Sequence, residues 1–179
     1  MPREKMERPS YVQHDYREKK RRDGNENGNA GHKEKRFYLN LDDDVVDAPS
    51  IGPKTSARLY KIRLNTVRDL LTCDPEDIAP QLNARHITAD VLADWQDQAR
   101  LVCVVPWLRG THAQILVGAG FRDVAAINAA DTNDIMAEIL KFAATSRGQS
   151  VLRSGAPPEM EKVLAWIAAA GQAELQRAA

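Results

Sequence analysis

The sequence has few of the residues that build disulfide frameworks, metal sites and aromatic cores. Its 179 residues include two cysteines, Cys73 and Cys103, and four histidines, and only 6% are aromatic. The cysteines form no CxxC pair and have no matching histidine cluster, which excludes a zinc site of the usual spacing. We therefore expect no metal and no cofactor, and we interpret both thiols as small buried apolar groups.

Long apolar runs and catalytic motifs are also absent. No stretch approaches the roughly 18 consecutive apolar residues of a membrane span, and no apolar core follows the N-terminal charges as it does in a signal peptide. We expect a cytoplasmic protein without a membrane partner. The patterns of serine hydrolases, zinc proteases, phosphate-binding loops and dinucleotide-binding folds do not occur, so we expect no enzymatic activity and no small-molecule substrate.

The sequence has no net charge, because 25 Lys and Arg residues balance 25 Asp and Glu residues. Eleven of the basic and seven of the acidic residues lie in residues 1–38, so this segment carries +4 and the remainder −4. Residues 1–36 show no hydrophobic periodicity and are predicted to be a disordered basic tail. Its basic run, Lys19–Arg22, is either a solvated segment or a nucleic-acid-binding arm.

Apolar residues spaced three and four apart predict an all-α fold from Ala48 onward. The predicted helices are Thr55–Ile62, Thr66–Leu71, Pro75–Leu82, Thr88–Val104, Thr111–Ala119, Asp123–Ala129, Asn133–Ala144 and Pro158–Arg177. The predicted N-caps are Thr66, Thr88 and Asp131, and proline begins two of the helices, at Pro75 and Pro158.

Three shorter features complete the pattern. Phe37–Leu41 is predicted to be a short extended segment. The acidic residues Asp42, Asp43 and Asp44 follow it, and we interpret them as a solvated turn or helix start, since no second carboxylate or histidine cluster lies near them in sequence. Trp95 lies on the apolar stripe of the longest predicted helix and is expected in the core.

An internal similarity appears when the chain is aligned with itself, since Ser50–Ile78 aligns with Trp107–Ile135 without gaps. The identical pairs are Leu59/Leu116, Val67/Val124, Asp74/Asp131, Asp77/Asp134 and Ile78/Ile135. A tryptophan-containing stretch follows each copy. The similarity predicts two tandem units with additional helices, the first in residues 37–104 and the second, more degenerate, in residues 105–179.

The segment Pro49–Leu71 resembles the helix-hairpin-helix motif of DNA-binding and repair proteins, in which a glycine-containing turn joins two short helices. Such a turn brings backbone N–H groups and a helix N-terminus close to a phosphate. Residues 50–68 contain five basic and no acidic residues, and this region is the predicted phosphate-binding site. The predicted site residues are Ser50, Gly52, Lys54, Thr55, Arg58, Lys61, Arg63 and Arg68. Ser50 departs from the motif because glycine usually occupies its position.

The second hairpin departs further from the motif, because Trp107 and Arg109 stand where glycines are expected. Its net charge is only +1 between Trp107 and Ala125. It is interpreted as a structural copy or a protein contact, or else as a secondary phosphate site. The candidate residues of that secondary hairpin are Arg109, Gly110, Thr111 and His112. We interpret His112 as a capping or surface residue more than as a ligand.

From about Leu39 to Ala170 the chain is similar to a bacterial family of unknown function, domain of unknown function 4332. The similarity lies in APSIGPKT with NTVRDLL, in Trp95–Phe121 and in GQSVLR. It implies tandem helix-hairpin-helix-like units and a binding role without an established activity. Two hypotheses follow: a non-enzymatic protein that binds nucleic acid, with DNA expected, through its backbone phosphates, or an adaptor that binds a protein partner.

Overall fold

Helices account for all of the regular structure in the residues that the structure, a computed structural model, describes: 37–153 and 155–178. A short 3-10 helix, Val45–Asp47, comes first. The α-helices are α1 Pro53–Lys61, α2 Val67–Thr72, α3 Pro75–Gln81, α4 Ala89–Val104, α5 Gly110–Gly118, α6 Val124–Ala129, α7 Thr132–Ala143, α8 Ser146–Leu152 and α9 Met160–Ala178. The predicted all-α class is confirmed. The charged segment of residues 1–36 lies outside the described residues.

Side-chain caps fix several helix starts at the predicted positions. Thr66 accepts a hydrogen bond from the Asp69 N–H, and the Asp69 carboxylate accepts one from the Thr66 N–H, which forms a capping box. The backbone N–H groups of Thr66 and Asn65 hold the pKa of Asp69 below its usual range. Thr88 and Asp131 cap α4 and α7 as predicted.

Other expectations need correction. Helix α9 begins at Met160, so Pro158 lies in the preceding loop and not in the first turn. The segment predicted to be extended, Phe37–Leu41, contains a bend at Tyr38 and a turn at Leu41, and the one β-bridge among the described residues joins Asp44 to Thr66. Apolar periodicity does not reveal helix α8, because its sequence is polar and contains Gly148. Thr145 caps α8 by accepting from the Gly148 N–H, which supplies the start signal.

The core is built around α4, which packs against α2, α3 and α5. Leu92, Ala99 and Val102 are buried on its apolar stripe, and Trp95 is buried among them as predicted. Helix α9 packs against α6 and α7 and buries Trp166. The described residues form one compact unit, and the predicted boundary between residues 104 and 105 lies at the end of α4.

Backbone features of the first aligned segment recur at the aligned positions of the second. Helix α5 begins and ends at the positions that align with the two ends of α1, and α6 does the same relative to α2. Left-handed φ angles occur at Ser50 (66°) and Trp107 (63°), and again at Arg63 (63°) and Gly120 (98°). Each of the last two residues ends its helix with the same pair of backbone hydrogen bonds, which is a Schellman motif. The two segments therefore share their turn conformations as well as their helix lengths.

Candidate nucleic-acid interface

Ser50 lies in the turn before α1, and its hydroxyl bonds to two other helices. Its Oγ donates a hydrogen bond to Gln98 Oε1 at 2.7 Å and accepts one from Gln114 Nε2 at 2.9 Å. Gln98 is fully buried on α4, and Gln114 lies on α5. Serine in the left-handed region is strained relative to glycine, and these two bonds offset the strain. Ser50 therefore holds the turn in place, and its hydroxyl is engaged by the protein itself.

Gly52 forms the N-cap of α1 and is exposed. It has no side-chain cap, and a Cβ atom added to it would meet no atom of the described residues within 4 Å. The N–H groups of Thr55 and Ser56 both donate to Gly52 O, while those of Gly52 and Lys54 have no acceptor among residues 37–153 and 155–178. The nine-residue helix α1 thus presents an open N-terminus with available N–H donors.

Three basic side chains follow one face of α1 at spacings of four and three residues: Lys54, Arg58 and Lys61. All three are exposed. Arg58 Nη1 donates to Leu82 O at 3.0 Å and to Asn83 O at 3.2 Å, where α3 ends. These acceptors are neutral carbonyl groups, so they do not compensate the positive charge of Arg58. The two hydrogen bonds connect α1 to the end of α3. Lys54 and Lys61 make no ion pair with a described residue.

Arg63 and Arg68 differ in their partners. Arg63 is exposed just beyond α1 and has no acidic partner in the described part of the chain. Arg68 donates from Nη2 and Nε to Asp42 Oδ1, at 2.9 and 3.2 Å. Its charge is balanced by that carboxylate, although both side chains remain exposed. The predicted group of five cations therefore contains four uncompensated charges and one ion pair.

The second hairpin is in contact with the first. A Cβ atom at Gly110 would lie 3.3 Å from Pro49 Cγ, so the start of α5 packs against the first turn. Arg109, the N-cap of α5, places its guanidinium 5.3 Å from the centre of the Tyr38 ring. Thr111 is exposed on the first turn of α5. The N-terminus of α5 is thus partly covered, unlike that of α1.

His112 packs between the second hairpin and α9. Its ring lies 4.6 Å from the Trp166 ring, and its Nδ1 is buried without a hydrogen-bond partner in the described residues. Burial, assisted by Lys162 and Arg109, lowers the pKa of His112 to about 4. A groove of about 680 Å³ opens beside Thr111 and His112. The prediction of a capping or surface residue missed this stacking, because Trp166 lies far along the chain on α9.

The carboxylates on the acidic face of α4 are less exposed, and better paired, than the sequence indicates. The guanidinium of Arg122 contacts Asp94 at 2.9 Å and Asp97 at 2.6 Å, and Arg147 contacts Asp94 at 2.7 Å. The Asp94 and Asp97 side chains are only 14% and 19% exposed. These carboxylates are neutralised by arginines of the second half of the chain, so they repel a polyanion less than free carboxylates would.

Nucleophiles and metal ligands are not gathered in the described residues. Burial raises the pKa of the Cys73 thiol and raises that of Cys103 to about 11, so neither is a reactive thiolate at neutral pH. No group of three metal-binding side chains occurs in the described ranges. No helix there combines the length and apolar character that a membrane crossing requires.

Comparison with known proteins adds a family and no activity. A family model described as a domain of unknown function (DUF4332) matches residues 49–173, which include both hairpins and most of α9. No curated protein and no solved structure matches the chain.

Proposed function

The chain belongs to the family described as a domain of unknown function (DUF4332), and we propose that it binds the phosphate backbone of nucleic acid, with DNA as the expected ligand. We further propose that its two hairpins are tandem helix-hairpin-helix-like units. In this proposal the protein is non-enzymatic, works in the bacterial cytoplasm and needs no cofactor. The first hairpin is the binding unit, and the second supports it.

The open N-terminus of α1 is the observation that carries the proposal. Gly52 leaves space for a ligand to approach the backbone, and the N–H groups of Gly52 and Lys54 have no acceptor among the described residues. An anion at this position gains from those donors and from the helix dipole. The uncovered turn therefore suits a phosphate oxygen better than an apolar or basic partner.

The row of positive charges along α1 favours a polyanion as the ligand over a single small anion. Lys54 and Lys61 are seven residues apart on the helix, which separates their Cα atoms by about 10 Å. Arg58 lies between them, and Arg63 lies just beyond the helix end. A chain of phosphates can contact several of these cations together, whereas a small anion can contact only one or two. Such contacts read no base sequence.

Salt dependence of duplex binding is the direct test. The full chain is titrated into a labelled mixed-sequence duplex at about 50 and about 200 mM salt, and we expect log K to fall with log salt at a slope of about −3. Lys54→Gln should weaken binding and reduce the slope by about one. The matched control is Lys141→Gln, since Lys141 is an exposed lysine on α7 that pairs with Glu138.

A second variant separates binding from folding. Gly52→Asn supplies a capping side chain for the free Lys54 N–H, so it should stabilise α1 slightly or leave it unchanged while it competes with the phosphate. Reduced duplex affinity in a variant at least as stable as the parent supports the proposal. If the parent binds neither duplex nor single-stranded nucleic acid at low salt, or if Lys54→Gln and Gly52→Asn both bind as the parent does, the proposal is wrong and the adaptor hypothesis is favoured.

A further inference from the structure

Trp107 is the exposed tryptophan of this chain. The other two tryptophans, Trp95 and Trp166, are 7% and 5% exposed, whereas Trp107 is 45% exposed. It lies in the turn before α5, between the buried residues Pro106 and Leu108. A large apolar ring is thus held at the surface by a turn whose flanking residues are anchored in the core.

The backbone of Trp107 makes this placement costly. Its φ of 63° lies in the left-handed region, where glycine is unstrained and a bulky side chain is disfavoured. At the corresponding position of the first hairpin, Ser50 offsets the strain with hydrogen bonds to Gln98 and Gln114. Trp107 makes no side-chain hydrogen bond or ring-stacking contact with a described residue that would explain it in the same way. Its indole is therefore available to a ligand.

Two further planar groups lie beside this turn. The Arg109 guanidinium lies over the ring of Tyr38, and Tyr38 is 37% exposed. The adjoining residue Gly110 packs on Pro49, which is three residues before Gly52. Trp107 lies two residues before Arg109, and the contact of Gly110 with Pro49 brings this segment next to the turn to which we assign the phosphate. We name Trp107, Arg109 and Tyr38 the aromatic cluster.

Exposed aromatic rings and guanidinium planes suit one form of nucleic acid in particular. In a duplex the base faces are stacked on one another, whereas unpaired bases offer their faces to aromatic side chains. We propose that the chain prefers single-stranded nucleic acid and that an unpaired base stacks on Trp107, with Tyr38 and Arg109 beside it. The inference rests on the proposed function, since α1 supplies the phosphate contacts next to the cluster.

Intrinsic fluorescence tests the stacking in the full chain. The chain is titrated at low salt with oligothymidylate of about 15 nucleotides, which is long enough for one binding site of this kind. A mixed-sequence duplex of the same length is titrated in parallel. We expect the single strand to quench the tryptophan emission and to bind more tightly than the duplex. Trp107→Phe should keep most of the affinity and lose the quenching, because Trp95 and Trp166 are buried.

Trp107→Gly removes the ring without backbone strain, since glycine adopts the left-handed conformation freely. We expect its affinity for oligothymidylate to fall about 5- to 150-fold, the loss of one stacked base. Its affinity for the duplex should change less than about twofold, since duplex base faces are already stacked. The control is Leu140→Ala on α7, which removes another exposed apolar side chain and should change neither affinity.

The outcomes separate the two proposals. Duplex binding equal to single-strand binding, single-strand binding without quenching, or unchanged affinity in Trp107→Gly overturns the stacking proposal and leaves the backbone proposal intact. If neither oligonucleotide binds the parent chain, both proposals fail. A single-strand preference that Trp107→Gly abolishes, with Lys54 still required for both ligands, supports them together.

Discussion

His112 stacks on Trp166, with ring centres 4.6 Å apart and planes inclined by 34°. This contact joins α5 to α9, two helices whose sequences give no sign that they meet. The imidazole Nδ1 is buried without a hydrogen-bond partner in the described residues, and Lys162 and Arg109 add positive charge around it. A protonated ring at this position is disfavoured, so the contact requires neutral histidine.

Stability should therefore fall in mild acid. The pKa of His112 is about 4 in the folded chain, against an ordinary value of 6.5. Between these values the unfolded chain binds the proton and the folded chain does not, so the free energy of unfolding rises with pH across this window and levels off above it. Because the ring is partly exposed, we expect a change of about 1–2 kcal/mol after solvent screening.

Urea unfolding at several pH values between 4 and 7.5 measures this dependence. His112→Phe keeps a ring against Trp166 and removes the titration, so its stability should vary less with pH than that of the parent. His86→Gln, at an exposed histidine, is the matched control and should follow the parent profile. Identical profiles for the parent and His112→Phe would show that the pH dependence arises elsewhere.

Gly148 is required by the packing of α8. A methyl group at this position would overlap the carbonyl oxygen of Phe142 and lie 2.8 Å from Ala143 Cα. Both are backbone atoms of α7, which cannot rotate away as a side chain can. We expect Gly148→Ala to lower the free energy of unfolding by about 3 kcal/mol.

Gly171→Ala is the contrasting variant in the same measurement of urea unfolding. Outside its own helix backbone, the nearest atom of the described residues to a methyl group there would be Asn128 Oδ1, at 4.0 Å. Since alanine favours the helical conformation, this change should raise the stability by about 0.5–1 kcal/mol. Equal effects of the two substitutions would contradict the described packing of α8 on α7.

Arg122 holds two carboxylates of α4. It contacts both Asp94 and Asp97, whose side chains are largely buried. Arg122→Met keeps an apolar stem and removes the charge, so we expect a loss of about 1–2 kcal/mol, because the carboxylates retain Arg147 and Arg100 as partners. The comparison is Lys141→Met, whose ion pair with Glu138 is exposed and should contribute less than about 0.5 kcal/mol. Thermal or urea unfolding that ranks the two variants in the opposite order would refute this role.

The parts of the fold that the sequence predicts are those with local signals, such as the N-cap residues at helix starts. The starts of α2 and α4 lie within one residue of their predicted positions, because Thr66 and Thr88 cap them with hydrogen bonds to residues three positions away. Helix α8 has a comparable cap in Thr145, but it lacks an apolar stripe and is held by the contact of Gly148 with α7. That contact is tertiary and leaves no periodic signal.

The candidate site is likewise only partly predictable from the sequence. Composition identified the basic hairpin, since its five cations all lie between Ser50 and Arg68. Which of them remain available depends on distant partners: Arg58 reaches Leu82 O, and Arg68 reaches Asp42. The exposure of Trp107 was missed for a different reason. In the sequence, Trp107 stands out only as a departure from the glycine of the motif. Its φ angle shows that its backbone nevertheless adopts the left-handed conformation that glycine favours.

Arg63 offers a substitution that should change stability and binding in opposite directions. It ends α1 in the left-handed region at φ 63°, where the corresponding residue of the second hairpin is Gly120. Arg63→Gly should raise the free energy of unfolding by about 0.5–1 kcal/mol, because glycine removes the strain of the Schellman motif. It should also weaken duplex binding and reduce the salt slope by about one, because one cation is lost. Urea unfolding and binding at two salt concentrations measure the two effects.

Arg153→Gly is the control that separates backbone strain from charge at the interface. Arg153 also has a left-handed backbone, at φ 51°, and it is an exposed arginine that ends α8. The same substitution there removes the same strain and the same charge, but away from α1. It should therefore stabilise the chain to a similar extent and leave the salt slope unchanged. If Arg153→Gly weakens binding as much as Arg63→Gly does, the attraction depends on total charge, and the hairpin of α1 is not the binding site.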